Sequence, residues 1–380
     1  MAIRHRQVSR TNIFNKFYQD EMKIIYVNSV SGNNSNTGLS FSQAKLTVAS
    51  ALTALGTSGR VKIYAPITTP IIFTSISSGN YSFESYDNNY WYTEGVLQRT
   101  SGWTNTTSTI YTQNSGASGN DPYIETLLDA DGYYARLRRN LSTPTTPANG
   151  EWGYTGGAWY VNFPAGENPN SHTIKFPSFT RGWAISGSTK VNFSKGYFRY
   201  CDSEGLIDLT NTSSVRCNGC VFQYGGSGIE AIDTSTVVCH DCISFRNQND
   251  GFNARGSAKM YLYDCESYRN LDEGVSPHDS SQLTLTNSYF HHNLSGGCTA
   301  INSTSMVINN CIISNNGLNA QAGIEANGIN YANTASGQIT NTISRDNNRS
   351  GFYCTSSGSI AFDNFSSGIA NGNSEADDLC

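Results

Sequence analysis

The chain has 380 residues, only 14% of them charged, with 36 glycines, 22 tyrosines and a formal net charge of −5. Such a neutral, turn-rich composition suits a polar β-protein, and with no long run of lysine or arginine it lacks the electrostatic footprint of nucleic-acid binding. No apolar run approaches membrane-spanning length, so membrane insertion is not expected.

Residues 1–23 are polar with scattered basic side chains and lack the apolar core of a signal peptide; they read as an N-terminal attachment segment. Residues 24–59 read as a cap. Within it Ala44, Val48, Leu52 and Leu55 fall on one stripe of a helix predicted over Ser42 to Leu55 and ended by Gly56. Residues 60–181 are irregular, with strand-like pieces (Val61 to Ile63, Ile71 to Phe73) broken by Gly/Asn/Ser/Thr stretches, and read as early coils carrying insertions. Their aromatic cluster, Tyr81, Phe83, Tyr86, Tyr90, Trp91 and Tyr92, is either core or a platform for sugar rings.

From residue 182 the sequence falls into rows of 23, headed by Gly182, Gly205, Gly228, Gly251, Gly274 and Gly297; after an eight-residue insertion, Ala320 to Asn327, the frame resumes at Gly328 and Gly351. The residue after each glycine is apolar: Trp183, Leu206, Ile229, Phe252, Val275, Cys298, Ile329 and Phe352. Thirteen past the glycine stand Lys195, Asn218, Asp241, Asp264, Asn287, Asn310, Asn341 and Asn364, residue types that accept a left-handed turn. A second polar column nineteen past holds Asn247, Asn270, Asn293, Asn316 and Asn347. Pairs such as Val237/Cys239 and Leu283/Leu285 alternate with the period of a strand. The rows therefore predict an all-β, right-handed, single-stranded parallel β-helix of about 23 residues per coil over residues 182–367, with an N-terminal capping helix and a polar tail, residues 368–380.

Cys217-x2-Cys220 and Cys239-x2-Cys242 have the spacing of a four-cysteine zinc site. The row frame accounts for that spacing without a metal: Cys242, Cys265 and Cys311 sit fourteen past their glycines, a column of small residues inside the turn. No metal ligands are assigned; the missing export signal favours thiols among the ten cysteines, while stacked cysteines lie near disulfide range, which leaves an oxidised pair open.

With its glycine-headed rows and asparagine turns, the region from Gly182 to about Ser367 resembles the pectate-lyase-like superfamily of right-handed parallel β-helices. Tyr26-Val27-Asn28 and the run Ser31 to Gly38 are similar to the opening segment of such proteins, and Glu151-Trp152, Trp159 to Phe163 and His172 to Ile174 to a small β-unit inserted in some of them. In that superfamily polysaccharides lie along an outward sheet face. Carboxylates there bind calcium or perform acid/base work, and Arg, Lys or His serves lyase chemistry.

Outward positions two and four past the glycine hold Glu230, Asn253 and Arg255, and Ser276 and His278, with Asp233 and Asp279 at the following turn and Asp250, Asp272 and Glu273 at the preceding one. The resemblance assigns catalysis to Glu230, Asp250, Arg255, Asp272, Glu273, His278 and Asp279, and substrate binding to Asn253, Ser276, Asp233, Tyr90 and Trp91. His291 and His292 read as structural, one inward and one outward, without a carboxylate partner. The expected protein is a virion tailspike or fibre-like shaft, a homotrimer that binds and in an enzymatic form depolymerises a host-surface polysaccharide, joined to a virion tail or capsid through residues 1–23. The alternatives are a free extracellular polysaccharide lyase or glycoside hydrolase and a non-catalytic spike; no cofactor is required, calcium being the addition a lyase would take. The expected location is the virion surface or the extracellular space.

Overall fold

The computed structural model describes residues 22–99, 101–107, 109–114, 122–128, 134–136, 138–139, 142–163, 167–318 and 326–366. Nearly all of the attachment segment, the tail and most of the insertion at residues 320–327 lie outside these.

The chain winds through three parallel sheets, always in the same order. Among the described residues the first has eleven strands, from Ile24–Asn28 to Ile360–Asp363; the second has nine, from Ile71–Ile72 to Ile343–Arg345; the third has nine, from Ser75–Ile76 to Phe352–Cys354. Coils stack in register, so that Val237, Met260, Leu283 and Met306 are successive partners and all lie in the core. This is a right-handed parallel β-helix, as the rows predict.

Two corrections concern the frame. Trp183 pairs with Ile207 and Ile207 with Ile229, intervals of 24 and then 22 residues, so Leu206 is displaced by one from the strand position. By the same shift Asn218 lies inside a strand and Gly219 takes the left-handed turn, with φ 57°, between Lys195 (55°) and Asp241 (52°). Asp264, Asn287, Asn310, Asn341 and Asn364 continue that column at φ 48–55°.

The nineteenth-position asparagines form a buried ladder. Asn247 Nδ2 donates to Asn270 Oδ1 at 2.9 Å, Asn270 to Asn293 at 3.0 Å, Asn293 to Asn316 at 2.9 Å and Asn316 to Asn347 at 3.1 Å. Each acceptor also takes a backbone N–H from the coil before it, as in Asn247 N to Asn270 Oδ1 at 3.1 Å, so the turn satisfies its amides without water. The row-heading glycines have a different cause. A Cβ on Gly251 would stand 1.9 Å from Ser267 Oγ and 2.6 Å from the carbonyl oxygen of Gly274, a close approach repeated at Gly228, Gly274 and Gly297.

The cap helix is shorter than predicted, Val48–Leu55, N-capped by Thr47 and followed by Gly56 at φ 80°. Lys45 bridges to Val27, and Asn34 Oδ1 accepts the N–H groups of Leu46 and Thr47 at 3.0 Å, which holds residues 44–47 extended. Val48 and Ala51 are buried and Leu52 and Leu55 pack on the first coil, covering its open end.

After Glu94, at the end of a second-sheet strand, the chain leaves the coil and returns at Trp183 in the third sheet. Between them lie a four-stranded and a five-stranded sheet, mostly antiparallel, around Trp103, Ile124, Trp152, Trp159, Val161, Phe163, Ile174 and Phe176. Buried Glu94 bonds Lys175 of this unit at 3.1 Å and Arg199 of the next coil, and Tyr123 packs on Tyr200 and Tyr224.

Eight cysteines are buried free thiols, and Cys354 is disulfide-bonded. Cys220, fifteen past its glycine and so one residue off the column by the row frame, stands opposite Cys242 and joins the small-residue column. Trp91 is another departure: it is 1% exposed among Trp183, Phe193 and Phe198, its indole N–H bonded to the Ser194 carbonyl, and cannot stack on an external sugar.

Candidate functional site

The third sheet presents one outward column through the middle coils: Ala184, Asp208, Glu230, Asn253 and Ser276 are successive partners. Although they point away from the core, Asp208, Glu230, Asn253 and Ser276 are 0–5% exposed, because longer flanking side chains rise on both sides. Arg181 and Arg255 are the half-exposed members of those flanks.

Arg181 Nη1 lies 2.8 Å from Asp208 Oδ2, and Arg255 Nε lies 3.5 Å from Glu230 Oε1 and donates to Asn253 Oδ1 at 3.2 Å. Burial pushes the Glu230 carboxyl up to about 7; Arg255 opposes this, while Glu204 and Asp208 add to it. Asp208 is raised to about 6 by burial and Glu204, against the pull of Arg181. Two neighbouring carboxyls are thus raised to about 6 and about 7 with a cation beside each, an arrangement suited to acid/base chemistry.

Asp250, Asp272 and Glu273 form a second carboxylate group whose oxygens lie within 4.8 Å of one another. Burial, and for Glu273 the two neighbouring aspartates, raise Asp250 to about 6 and Glu273 well above its usual range. An all-oxygen, partly buried donor set of this kind fits a hard divalent cation such as calcium. Among the described residues it is the one group of three or more His, Cys, Asp or Glu drawn this close; the cysteine column forms none. Asn253 ties the two groups together, its amide donating to Asp250 Oδ2.

His278 Nε2 shares a 2.9 Å hydrogen bond with Ser276 Oγ, and burial with Arg255 nearby lowers its pKa and keeps the imidazole neutral. Asp233 and Asp279 stand apart from this chemistry. Both are left-handed turn residues (φ 62° and 60°) whose Oδ2 atoms accept the backbone N–H of Asn211 and Gly256, each at 2.9 Å. Tyr90 is exposed on the second sheet, edge-on to Tyr197. His291 does have a carboxylate partner, with Nε2 2.9 Å from Glu266 Oε1; His292 occupies the left-handed turn, so neither ring is in the core.

Arg181, Glu204 and Asp208 were not among the predicted site residues. A strict 23-residue frame puts Ile207, an inward residue, where Asp208 belongs, and only the 24/22 alternation brings Asp208 onto Glu230.

Fold and site together define a right-handed parallel β-helix with a carboxylate-lined outward face. Residues 244–376, about a third of the chain, match the family described as right handed beta helix region. No curated protein matches the sequence. Among solved structures, the complex of XylC with xylose is similar at a TM-score of 0.64 and 9% identity, over 90% of this chain and 67% of that one. A glycoside hydrolase is similar at 0.54 and 8% over 90% and 96%, and pectate lyase Pel9A at 0.46 and 13% over 89% and 67%. At these identities the likeness is one of fold.

Proposed function

We propose that the chain binds a polysaccharide along the outward face of its third sheet and hydrolyses it, with Glu230 as general acid and Asp208 as the partner carboxylate. The observation that carries this reading is the placement of the two residues as direct partners on adjacent strands. Strands of a sheet lie about 4.8 Å apart, nearer the roughly 5–5.5 Å of a retaining pair than the 6.5–9.5 Å of an inverting one. Glu230, protonated near neutrality, gives its proton to the glycosidic oxygen; ionised Asp208 attacks the anomeric carbon, and water then releases the sugar. The test is incubation of the purified protein with neutral and acidic capsular polysaccharides. New reducing ends without an unsaturated uronide, lost in Glu230→Gln, support hydrolysis; no new ends with any glycan rejects it.

A lyase is the second reading, favoured by neutral His278 beside Arg255 and by the Asp250, Asp272 and Glu273 group. There His278 removes the proton α to a uronate carboxyl, the glycosidic C–O bond at the β carbon breaks, and the departing sugar oxygen takes up a proton from solvent, leaving an unsaturated uronide. The carboxylate group would hold calcium, which neutralises that carboxyl when bound. Ultraviolet absorbance of an unsaturated uronide is its signature.

The wider setting we propose is a tailspike-like shaft on the virion surface, or the extracellular space, attached through residues 1–23 and assembled as a homotrimer. The long coil stack and the polar leader support it. Sizing of the full chain in solution tests the trimer, and a monomer removes it.

A further inference from the structure

We propose that the first sheet carries a second binding site, remote in the coil from the Asp208 and Glu230 column, which captures an oxyanion: the carboxylate of an acidic sugar, or a sulfate or phosphate group. Its floor is built from small polar residues. Ser82 and Asn192 are partners in one outward column, Glu84 and Ser194 in the next. Long cations close the ends of these columns: Arg60 and Lys62 pair with Ser82 and Glu84 from the coil before, and Arg216 pairs with Asn192 from the coil after. Lys195 follows at the left-handed turn, and a cavity of about 280 Å³ lies between them.

The charge does not cancel. Glu84 is engaged by Arg60 through two bonds of 2.9 and 2.8 Å and by Lys62 at 3.0 Å, and these cations hold its carboxyl at about 2 despite burial. Arg216 and Lys195, both exposed, have no ion pair among the described residues. Four cations around one carboxylate leave a cavity of net charge +3 on a chain of net charge −5. Burial and, after it, the Arg216 cation lower the pKa of His240 on the neighbouring strand, against the pull of Asp241 and Asp264. The cavity is below the roughly 300–1,000 Å³ of drug-sized ligand sites, which suits one charged substituent held by a guanidinium, an ammonium and amide donors.

Calorimetric titration of the full chain with inorganic sulfate, inorganic phosphate and glucuronate tests the site. Saturable binding of at least one anion is expected, weakened by about tenfold or more in the Arg216→Ala/Lys195→Ala double variant and unchanged in Glu230→Gln. Preference for glucuronate marks a carboxylate ligand, and preference for sulfate or phosphate an ester. Either is consistent with the site. Absence of saturable binding by all three, or equal affinity in a double variant with wild-type melting, overturns the proposal. Either result leaves the hydrolytic reading standing, because that is read separately by reducing ends.

Discussion

Asp208 and Glu230 face the same way on neighbouring coils, each with an arginine at its shoulder, Arg181 at 2.8 Å and Arg255 at 3.5 Å. If Glu230 must be protonated and Asp208 ionised, turnover rises through about 6 and falls through about 7, giving a narrow bell. Glu230→Gln or Asp208→Asn should each lower kcat by about 10²–10⁴-fold. Arg255→Ala removes the cation that holds Glu230 down, so the alkaline limb should move up; an unmoved limb would show that another group is the acid.

The Asp250, Asp272 and Glu273 group should make stability depend on pH and, where it takes up calcium, on that cation. Asp250 and Glu273 have folded pKa values raised above their unfolded ones, so their contribution is complete below the unfolded values and is lost as pH rises through about 6 and beyond. In chelator the protein should melt lower at pH 8 than at pH 5. Calcium should restore the loss at pH 8, and Asp272→Asn should blunt that rescue. Identical melting with calcium and with chelator at pH 8 rejects the cation site.

The two asparagine columns should respond differently to truncation. Asn270 is buried and bonded on both sides, so Asn270→Ala strips the Asn247 backbone N–H of its acceptor and Asn293 Oδ1 of one of its two donors and should cost about 1–3 kcal/mol. Asn310 donates to Asn287 at 2.6 Å in the exposed column, where water replaces the bond, and Asn310→Ala should cost below about 1 kcal/mol. Denaturant midpoints compare the two; equal losses would mean that the inner ladder adds nothing special.

Gly251→Ala places a methyl against Ser267 Oγ and the Gly274 carbonyl and should destabilise by about 3 kcal/mol. Gly157→Ala meets nothing within 4 Å and strains only its φ of 80°, so about 1 kcal/mol is expected. Thermal melting of the pair separates crowding from backbone strain.

Periodicity made the coil legible because an in-register solenoid turns equal offsets into spatial neighbours, as Glu230, Asn253 and Ser276 show. It failed where a coil is one residue long or short: Asn218 was placed in the turn that Gly219 occupies, and Asp208 was overlooked beside Glu230. Charge alone could not separate turn aspartates from site aspartates. Asp233, Asp250 and Asp279 all accept a backbone amide of a neighbouring coil, and what sets Asp250 apart is its burial against the carboxylates of Asp272 and Glu273, which only the stacking of coils reveals.

The excursion between Glu94 and Trp183 interrupts a single coil, yet Glu94 still pairs with Arg199 and Ala184 with Asp208 as though nothing intervened. Nearly ninety residues are thus carried as an insertion whose exit and re-entry are fixed by the coil itself and which Lys175 and Tyr123 anchor to it. A graft point of this kind accepts a different unit without re-solving the folding problem of the shaft.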